Sequence, residues 1–454
     1  TAAPIASNIG VTNTLLTVSL QGAKHWQDES DKHKHRPSSL TLIVLADGTP
    51  LAPQPAITWA DTETDDWSYS VSGLPRYRKG TLEPVIYSVQ ETLPLDYTSA
   101  ATTASGTVSE DTGNITDADF TNALVTVTIE GSKYWVDDTN RYGMRPSSLT
   151  LTVAGDSVTL TPQPTVVWNY ATGANQWHYQ YTGVPKYVKG STTPISYTVT
   201  ETPAGGYLSS TATVSGTVNA DTRNVTEADF TNTLITVNLT GSKRWEDNSN
   251  YYAMRPATIT VNIRENGTLL SPQPVLTWST TGNNWSYSCT GLPKYRKGGA
   301  ALATYSATET AVAGYTTTPS ATIAGVADGS GNFTVAEFVN TLRTVSLSGS
   351  KTWSDQNNLY GRRPADITLT LMAGAVAMTP LSGITWNKTG EPWTYSITGL
   401  PRYKKGTSTA IVYSVIETAI TDYTTTPSLT AIGSVNGTTG YITNANFTNT
   451  LATV

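Results

Sequence analysis

Apolar and polar residues alternate along many short segments of the chain, and Gly, Pro and Asp clusters separate these segments. Examples are residues 40–45, 57–59, 67–71 and 85–89. Alternation with a period of two predicts strands that bury one face, and the intervening clusters predict turns. No stretch keeps the 3.6-residue apolar period of a helix. The pattern therefore predicts an all-β fold.

This pattern is repeated four times. The motif Gly-x-Lys-x-Trp stands at Lys24, Lys133, Lys243 and Lys351, so the copies begin 109, 110 and 108 residues apart. All 12 tryptophans fall at three equivalent places per copy. A period of this length is too long for a solenoid unit, but it suits an Ig-like β-sandwich of about seven or eight strands.

We therefore predict four tandem β-sandwich modules: module 1 (16–124), module 2 (125–234), module 3 (235–342) and module 4 (343–454). Residues 1–15 are interpreted as the closing strand of a preceding repeat, because Asn13 lies 11 residues before Lys24, the same spacing as at the later junctions. Asn13 would have no lysine of its own to react with. The junctions lack Gly/Ser-rich linkers, which predicts a stiff rod.

Composition narrows the function classes. Only 14% of residues are charged, and the net charge of −6 comes without a Lys/Arg stripe, which argues against nucleic-acid and anionic-membrane partners. No apolar run approaches the ~20 residues that cross a bilayer. The single cysteine, Cys289, excludes an intrachain disulfide framework and is expected to be a strand residue. No cofactor motif is visible.

Strand parity places three polar residues among the apolar ones. Residues two apart share a face of a strand. Lys24 shares its face with Leu20 and Trp26, and the same parity puts a glutamate and an asparagine on apolar faces later in each module. The four sets are Lys24, Glu91 and Asn122; Lys133, Glu201 and Asn232; Lys243, Glu309 and Asn340; and Lys351, Glu417 and Asn449.

Burying these residues predicts a reaction. Desolvation lowers a lysine pKa and raises a glutamate pKa, so the pair tends toward a neutral amine and a protonated carboxyl. The amine can then attack the asparagine amide, ammonia leaves, and a Lys–Asn amide remains. The alternative is a buried salt bridge with an amide neighbour, or a snorkelling lysine. Recurrence on the apolar parity in all four modules favours the crosslink.

Four short motifs of the sequence resemble those of a known family. The motifs are Gly-Ser-Lys-x-Trp, Leu-Pro-Lys/Arg-Tyr, Tyr-x-Val-x-Glu-Thr and Phe-Thr-Asn-Thr, and together they resemble the collagen-adhesin B-type (CnaB-like) domains of Gram-positive surface adhesins and pilins. The resemblance implies a β-sandwich with an isopeptide bond between the lysine and the asparagine, promoted by a buried catalytic glutamate. It also implies an extracellular, cell-wall-anchored protein.

Other features have competing interpretations. His25, His33 and His35 could hold a metal, but the other modules lack them, so we expect a solvated loop and no metal site. The aspartate two residues after the first tryptophan of each module is expected to pair with an arginine (Arg36 and its equivalents) rather than bind calcium. The recurrent Trp and Tyr residues are expected to fill the core rather than form a glycan platform.

The resulting functional prediction is a non-enzymatic, monomeric stalk of a bacterial surface adhesin. Its expected partners are neighbouring repeats and a ligand-binding domain elsewhere in the same protein. The alternatives are modules that themselves bind host matrix protein or glycan, and a pilin shaft.

Overall fold

A computed structural model describes residues 10–171 and 173–453, and within these ranges all regular structure is β-strand. The chain divides into two compact units, residues 1–234 and residues 235–454. The first unit contains modules 1 and 2, and the second contains modules 3 and 4. Among the described residues there is no helix of the length and apolarity needed to span a membrane. The all-β prediction is confirmed.

Module 1 is a two-sheet sandwich. Its strands are β1 (Thr17–Gln27), β2 (Leu42–Ala46), β3 (Thr49–Pro50), β4 (Thr58–Ala60), β5 (Asp66–Pro75), β6 (Tyr87–Glu91), β7 (Tyr97–Ser99), β8 (Thr103–Ala104), β9 (Thr107–Val108), β10 (Ile115–Thr116) and β11 (Phe120–Leu124). The larger sheet has the order β4-β5-β1-β10-β9, with β11 also beside β1 and β7 beside β11. The smaller sheet has the order β3-β2-β6-β8. Apolar side chains from both sheets form one core.

Module 2 repeats this architecture. Its strands are β12 (Thr126–Val136), β13 (Leu151–Gly155), β14 (Val158–Thr159), β15 (Val167–Asn169), β16 (Gln176–Pro185), β17 (Tyr197–Glu201), β18 (Tyr207–Ser209), β19 (Thr213–Val214), β20 (Thr217–Val218), β21 (Val225–Thr226) and β22 (Phe230–Leu234). Its sheets have the orders β15-β16-β12-β21-β20, joined by β22 and β18, and β14-β13-β17-β19. The two modules of this unit touch, since the Lys189 Nζ donates to the Lys34 carbonyl at 2.7 Å.

Module 3 differs because its two sheets are joined. Its strands are β23 (Thr236–Glu246), β24 (Val261–Glu265), β25 (Thr268–Leu269), β26 (Thr277–Ser279), β27 (Asn284–Pro293), β28 (Tyr305–Glu309), β29 (Tyr315–Thr318), β30 (Ile323–Ala327) and β31 (Phe333–Leu342). Strand β30 pairs with β28 on one side and with the long β31 on the other, which creates a single nine-stranded sheet.

Module 4 returns to two sheets. Its strands are β32 (Thr344–Ser354), β33 (Leu369–Ala373), β34 (Val376–Met378), β35 (Thr385–Asn387), β36 (Trp393–Pro401), β37 (Tyr413–Glu417), β38 (Tyr423–Thr426), β39 (Thr430–Ala431), β40 (Ser434–Val435), β41 (Ile442–Thr443) and β42 (Phe447–Leu451). Modules 3 and 4 touch in the second unit, where the Leu381 amide donates to the Tyr252 hydroxyl at 2.9 Å.

The long first strand is the centre of each module. In module 1, β1 pairs with β5 antiparallel along one edge. Along the other edge it pairs in parallel with β10 at Leu20 and with β11 from Lys24 to Gln27. The first and last strands of the module therefore run side by side in the same direction. This pairing recurs in β12–β22, β23–β31 and β32–β42.

The glycine of the repeated motif is required by this crossover. A Cβ on Gly22 would lie 2.1 Å from the Ala118 carbonyl oxygen, where the chain passes from β10 to β11. The buried Tyr69 hydroxyl donates to the same carbonyl. Equivalent crowding occurs at Gly131 and Gly349, and at Gly241 the obstacle is the Tyr287 ring. A side chain at this position would displace the last strand.

The predicted strands differ from the structure mainly at their ends. Residues 85–89 were expected to form a strand, but β6 begins at Tyr87 and ends at Glu91, because Val85 lies beside the bridge between Tyr77 and Pro84. Residues 12–15 form no strand. These residues are exposed, and Leu15 is 65% exposed. Residues 10 and 11 form no strand either, and residues 1–9 lie outside the described residues.

Candidate crosslinking site

Each module brings one lysine, one glutamate and one asparagine together in its core. In module 1 the lysine is on β1 and the asparagine is on the neighbouring β11, so both project from the larger sheet. The glutamate ends β6 and reaches them from the smaller sheet. All 12 residues named from the sequence are buried: Lys24, Lys133, Lys243, Lys351, Glu91, Glu201, Glu309, Glu417, Asn122, Asn232, Asn340 and Asn449.

In modules 1 and 2 the glutamate bridges the other two side chains. The Lys24 Nζ lies 3.3 Å from Glu91 Oε2, and the Asn122 Nδ2 lies 2.5 Å from Glu91 Oε1. In module 2 the corresponding distances are 3.0 Å from Lys133 to the glutamate Oε2 and 2.9 Å from the asparagine to Oε1. One carboxyl thus touches both the amine and the amide.

Module 4 has the same arrangement and module 3 a looser one. The Lys351 Nζ lies 2.8 Å from Glu417 Oε1. In module 3 the Lys243 Nζ is 3.7 Å from Glu309 Oε2 and donates instead to the carbonyls of Arg244, at 3.0 Å, and Phe338, at 3.4 Å. The asparagine of module 3 keeps its bond to Glu309 Oε1 at 2.6 Å. Module 3 is also the one in which the sheets are joined.

Burial shifts the lysines toward the neutral amine. It is the largest cause of the lowered pKa in every module, and the facing glutamate offsets it only partly. The pKa falls to about 8 at Lys24 and Lys243. It is also lowered at Lys133 and Lys351. An amine with a pKa near neutrality is unprotonated for a useful fraction of the time and can act as a nucleophile.

Burial acts on the glutamates in the opposite direction. It raises the pKa of Glu91 and of Glu309, although the nearby lysine and asparagine each pull it down. A raised carboxyl pKa and a lowered amine pKa favour transfer of the lysine proton to the glutamate. The site can therefore reach the amine and carboxylic acid forms at a pH where exposed groups would both be charged.

In each of the four asparagines, one of the two polar atoms of the side-chain amide makes no hydrogen bond within the described part of the chain. Their Nδ2 donates to the glutamate, whereas the buried Oδ1 has no hydrogen-bond partner among the described residues in any module. Amide oxygen and nitrogen are assigned from the hydrogen-bond network, so the flipped amide is equally compatible with the atom positions. With a protonated glutamate, that flip lets the carboxyl O–H donate to Oδ1. Such a bond would polarise the amide carbonyl next to the amine.

The profile described as the Cna protein B-type domain matches residues 20–116, 129–227, 239–332 and 347–445, which together make up most of the chain. The chain belongs to the Cna protein B-type domain family. The resemblance stated from the motifs is confirmed.

Relatives of these B-type modules include a protein named collagen adhesin from Staphylococcus aureus. It is 29% identical over 423 residues, which are 92% of this chain and 30% of the relative, so the chain spans under a third of that protein. The solved structure of two B repeat units of the collagen binding protein of S. aureus is 25% identical, covers 96% of this chain and 100% of that chain, and has a TM-score of 0.26. A major pilin of Streptococcus pyogenes is 15% identical over 48% of this chain and 97% of its own, with a TM-score of 0.25.

The aspartates after the first tryptophan of each B-type module do pair with arginine. The Arg36 Nε donates to Asp28 Oδ2 at 2.8 Å, and Arg145 donates to Asp137 at 2.7 Å. Asp247–Arg255 and Asp355–Arg363 repeat the pair at 2.7 Å. A tyrosine hydroxyl donates to the same carboxylate in every module. Sequence reasoning missed this tyrosine, although its recurrence a few residues beyond the glutamate was a usable signal.

The histidines of module 1 do not form one cluster, because His25 and His35 contact different residues. His25 contacts Asp66 at 2.5 Å, and His35 contacts Asp96 at 2.9 Å inside the module. Burial lowers the pKa of His33. Within residues 10–171 and 173–453, no three His, Cys, Asp or Glu side chains come close enough together to hold a metal ion. These residues serve as separate structural contacts.

The tryptophans belong to the core of the B-type modules. Seven of the 12 are buried and the remaining five are half-buried, so they form no exposed aromatic platform. Cys289 is a buried strand residue of β27.

Proposed function

We propose that this chain is a tension-bearing stalk segment of a Gram-positive surface adhesin, and that each module is closed by an intramolecular Lys–Asn isopeptide bond. The observation that carries the proposal is the fourfold meeting of a buried lysine, glutamate and asparagine at the boundary between the first and last strands. Membership of the B-type family, with adhesin and pilin relatives, supports a surface stalk or pilin-like role.

In module 2 the proposed reaction begins with a proton transfer. In the dry core the Lys133 ammonium gives a proton to Glu201, which leaves a neutral amine beside a carboxylic acid. Holding two separated charges in a core is unfavourable unless they are fully compensated, so this neutral pair is an accessible state. The acid then donates a hydrogen bond to the Asn232 carbonyl oxygen and withdraws electron density from its carbon.

One C–N bond then forms and another C–N bond breaks. The Lys133 Nζ attacks the Asn232 Cγ, and a new C–N bond forms. The Cγ–Nδ2 bond breaks after Glu201 has carried a proton from the lysine nitrogen to the departing nitrogen, and ammonia leaves. The glutamate keeps the proton that it took from the lysine ammonium in the first step and ends as a carboxylic acid, and the product is a neutral amide. Because the amine and amide are held as neighbours, the reaction gains the large rate advantage of intramolecular reactions.

Each module carries out this reaction once. The glutamate acts as an acid and base within its own module, and the product stays attached, so there is no turnover. We accordingly propose that the chain is not an enzyme acting on other molecules, and that it needs no cofactor.

The position of the bond supports the mechanical role. The first and last strands of a module are parallel neighbours, so pulling the ends of the module apart shears their hydrogen bonds together. A bond from Lys133 to Asn232 would route tension from β12 directly into β22. These two residues are 99 positions apart, and the chain between them would then carry no load.

The S. aureus relative is named for collagen, which raises the alternative that the modules themselves bind matrix protein. We propose instead that they carry a binding domain of the same protein, because all 12 tryptophans are buried or half-buried in the cores. Surface immobilisation of the whole chain and titration with collagen tests the choice. Saturable binding would favour the alternative, whereas background-level binding supports the stalk.

Intact mass measurement tests the crosslink. We expect the purified chain to be lighter than its sequence mass by four molecules of ammonia. Replacement Glu201→Ala should return one ammonia to the mass and leave module 2 open. The other three modules in the same chain serve as internal controls.

A control substitution tests whether the effect is specific to the buried glutamate. Glu130→Gln changes an exposed residue on β12 and should keep all four bonds. A wild-type chain with the full sequence mass, in a folded state, would contradict the crosslink while leaving the stalk architecture intact.

A further inference from the structure

A second polar network lies next to the lysine in every module. Its centre is an aspartate two residues after the first tryptophan, and each of these carboxylates is buried. The arginine fork, the tyrosine hydroxyl and a backbone amide all donate to it. The tyrosine distances are 3.0, 2.9, 3.0 and 2.9 Å for Tyr97–Asp28, Tyr207–Asp137, Tyr315–Asp247 and Tyr423–Asp355.

The network encloses the tryptophan ring. In module 2 the Arg145 guanidinium lies 5.5 Å from the centre of the Trp135 ring, and the Tyr207 ring meets Trp135 edge-on with 4.9 Å between centroids. The same contacts recur around Trp26, Trp245 and Trp353.

The tryptophan in turn covers the reacting amine. The lysine Nζ lies 4.7, 5.0, 4.5 and 4.6 Å from the ring centre for the pairs Lys24–Trp26, Lys133–Trp135, Lys243–Trp245 and Lys351–Trp353. The indole Nε1 of these four tryptophans has no hydrogen-bond partner among the described residues. The orientation of the ring therefore depends on the groups packed against it rather than on a hydrogen bond of its own.

We propose that the Asp–Arg–Tyr network is a positioning device for the crosslink, which holds the tryptophan ring against the lysine amine, excludes water and aims the amine at the asparagine. The positioning residues are Asp28, Arg36 and Tyr97; Asp137, Arg145 and Tyr207; Asp247, Arg255 and Tyr315; and Asp355, Arg363 and Tyr423. This inference rests on the proposed isopeptide reaction, because it assigns a role in that reaction.

The retention of a charged network at this place has a physical reason. A buried ion pair is weak support for stability, since apolar residues of similar size often stabilise a core equally well or better. What the network adds is direction: the carboxylate fixes the planar guanidinium through paired bonds, and the guanidinium fixes the ring. The face of the ring attracts an ammonium, but the same ring removes the water that would otherwise solvate it.

The decisive variant removes the network without leaving a buried charge. The double replacement Asp137→Leu with Arg145→Met in module 2 exchanges both partners for apolar groups, which keeps the core filled. Newly synthesised chain, stopped at successive times and digested, gives the crosslinked fraction of each module by mass spectrometry. We expect module 2 to close roughly tenfold more slowly or worse, with modules 1, 3 and 4 unchanged.

The pH profile distinguishes positioning from simple packing. If the ring and network keep water from the amine, opening them moves the rate midpoint of module 2 upward, toward the ordinary lysine pKa of about 10.4. The altered site should then hold its shared proton, and keep its remaining rate, up to a higher pH than the wild-type module. A purely structural role would lower the rate at every pH without moving the midpoint.

A milder variant provides the test if the double variant of module 2 does not fold. Tyr207→Phe removes one hydroxyl and keeps the ring, and it should slow module 2 by a smaller factor in the same direction. Unchanged rate and midpoint in a folded double variant, or in Tyr207→Phe when the double variant does not fold, would overturn the positioning role. Absence of crosslinks in every module of the wild-type chain would instead contradict the reaction itself.

Discussion

At the scale of residues, strand parity carries most of the information about the site. It predicts that Lys24 lies inside with Leu20 and Trp26, and the structure buries it completely. Parity cannot say which groups meet across the sandwich. The phenol of Tyr97 reaches Asp28 because the turn before β7 brings it there, and the sequence pattern of that turn does not encode the contact.

The lysine pKa makes the reaction dependent on pH. In the unreacted fold of module 1, burial lowers the pKa of Lys24 to about 8, whereas the unfolded chain keeps this proton up to the ordinary lysine pKa of about 10.4. Between these values the unfolded chain binds more protons, so the unreacted fold gains stability as the pH rises. The reactive amine and carboxylic acid hold one shared proton, so we expect the rate of closure of module 1 to fall above about pH 8, where the site loses that proton.

Time courses of closure on newly synthesised chain at a series of pH values measure this. Module 3, whose Lys243 pKa is also about 8, should follow a similar profile but react more slowly, because its amine is turned toward backbone carbonyls. A rate that keeps rising between about pH 6 and about pH 9 would exclude the pair of neutral amine and carboxylic acid as the reactive form.

At the scale of elements, the long first strand determines the arrangement of each module. Its pattern was readable because apolar residues alternate over 11 positions, but its two parallel partners were not. Pairing with β10 and then β11 depends on residues almost 100 positions away. The joined sheets of module 3 were also unpredictable, since the β30–β31 pairing depends on register rather than on composition.

The motif glycine offers a test at this scale. In module 4 a Cβ on Gly349 would lie 1.9 Å from the Ala445 carbonyl oxygen, whereas a Cβ on Gly437 would meet nothing within 4 Å. Gly349→Ala should displace β42, destabilise the unreacted module by about 1–3 kcal/mol or more and slow its closure.

Gly437→Ala is the matched control and should leave both properties unchanged. Thermal unfolding and the crosslinked fraction of module 4 report the two effects. Equal behaviour of the two variants would show that the crowded crossover does not constrain the last strand.

At the scale of the whole molecule, four modules of one family follow one another along the chain. The repeat period predicted this number, and the matched family segments agree with it. The stiffness of the array, predicted from the short junctions, cannot be deduced from the repeats or the motifs themselves.

Single-molecule stretching tests the array. A chain with four closed modules should extend without releasing the residues between each lysine and its asparagine. Asn232→Ala opens only module 2 and should add one release step of the order of 300 Å, the extended length of about 100 residues. Four such steps in the wild-type chain would mean that its modules are open.

The order of the reacting residues along the chain has a consequence for biosynthesis. Lysine stands on the first strand of every module and asparagine on the last, so a growing or translocating polypeptide acquires the nucleophile long before its target. Under the proposed reaction, each module would stay uncrosslinked until its closing strand arrives. The crosslinks would then form one module at a time, in the order in which the last strands are synthesised.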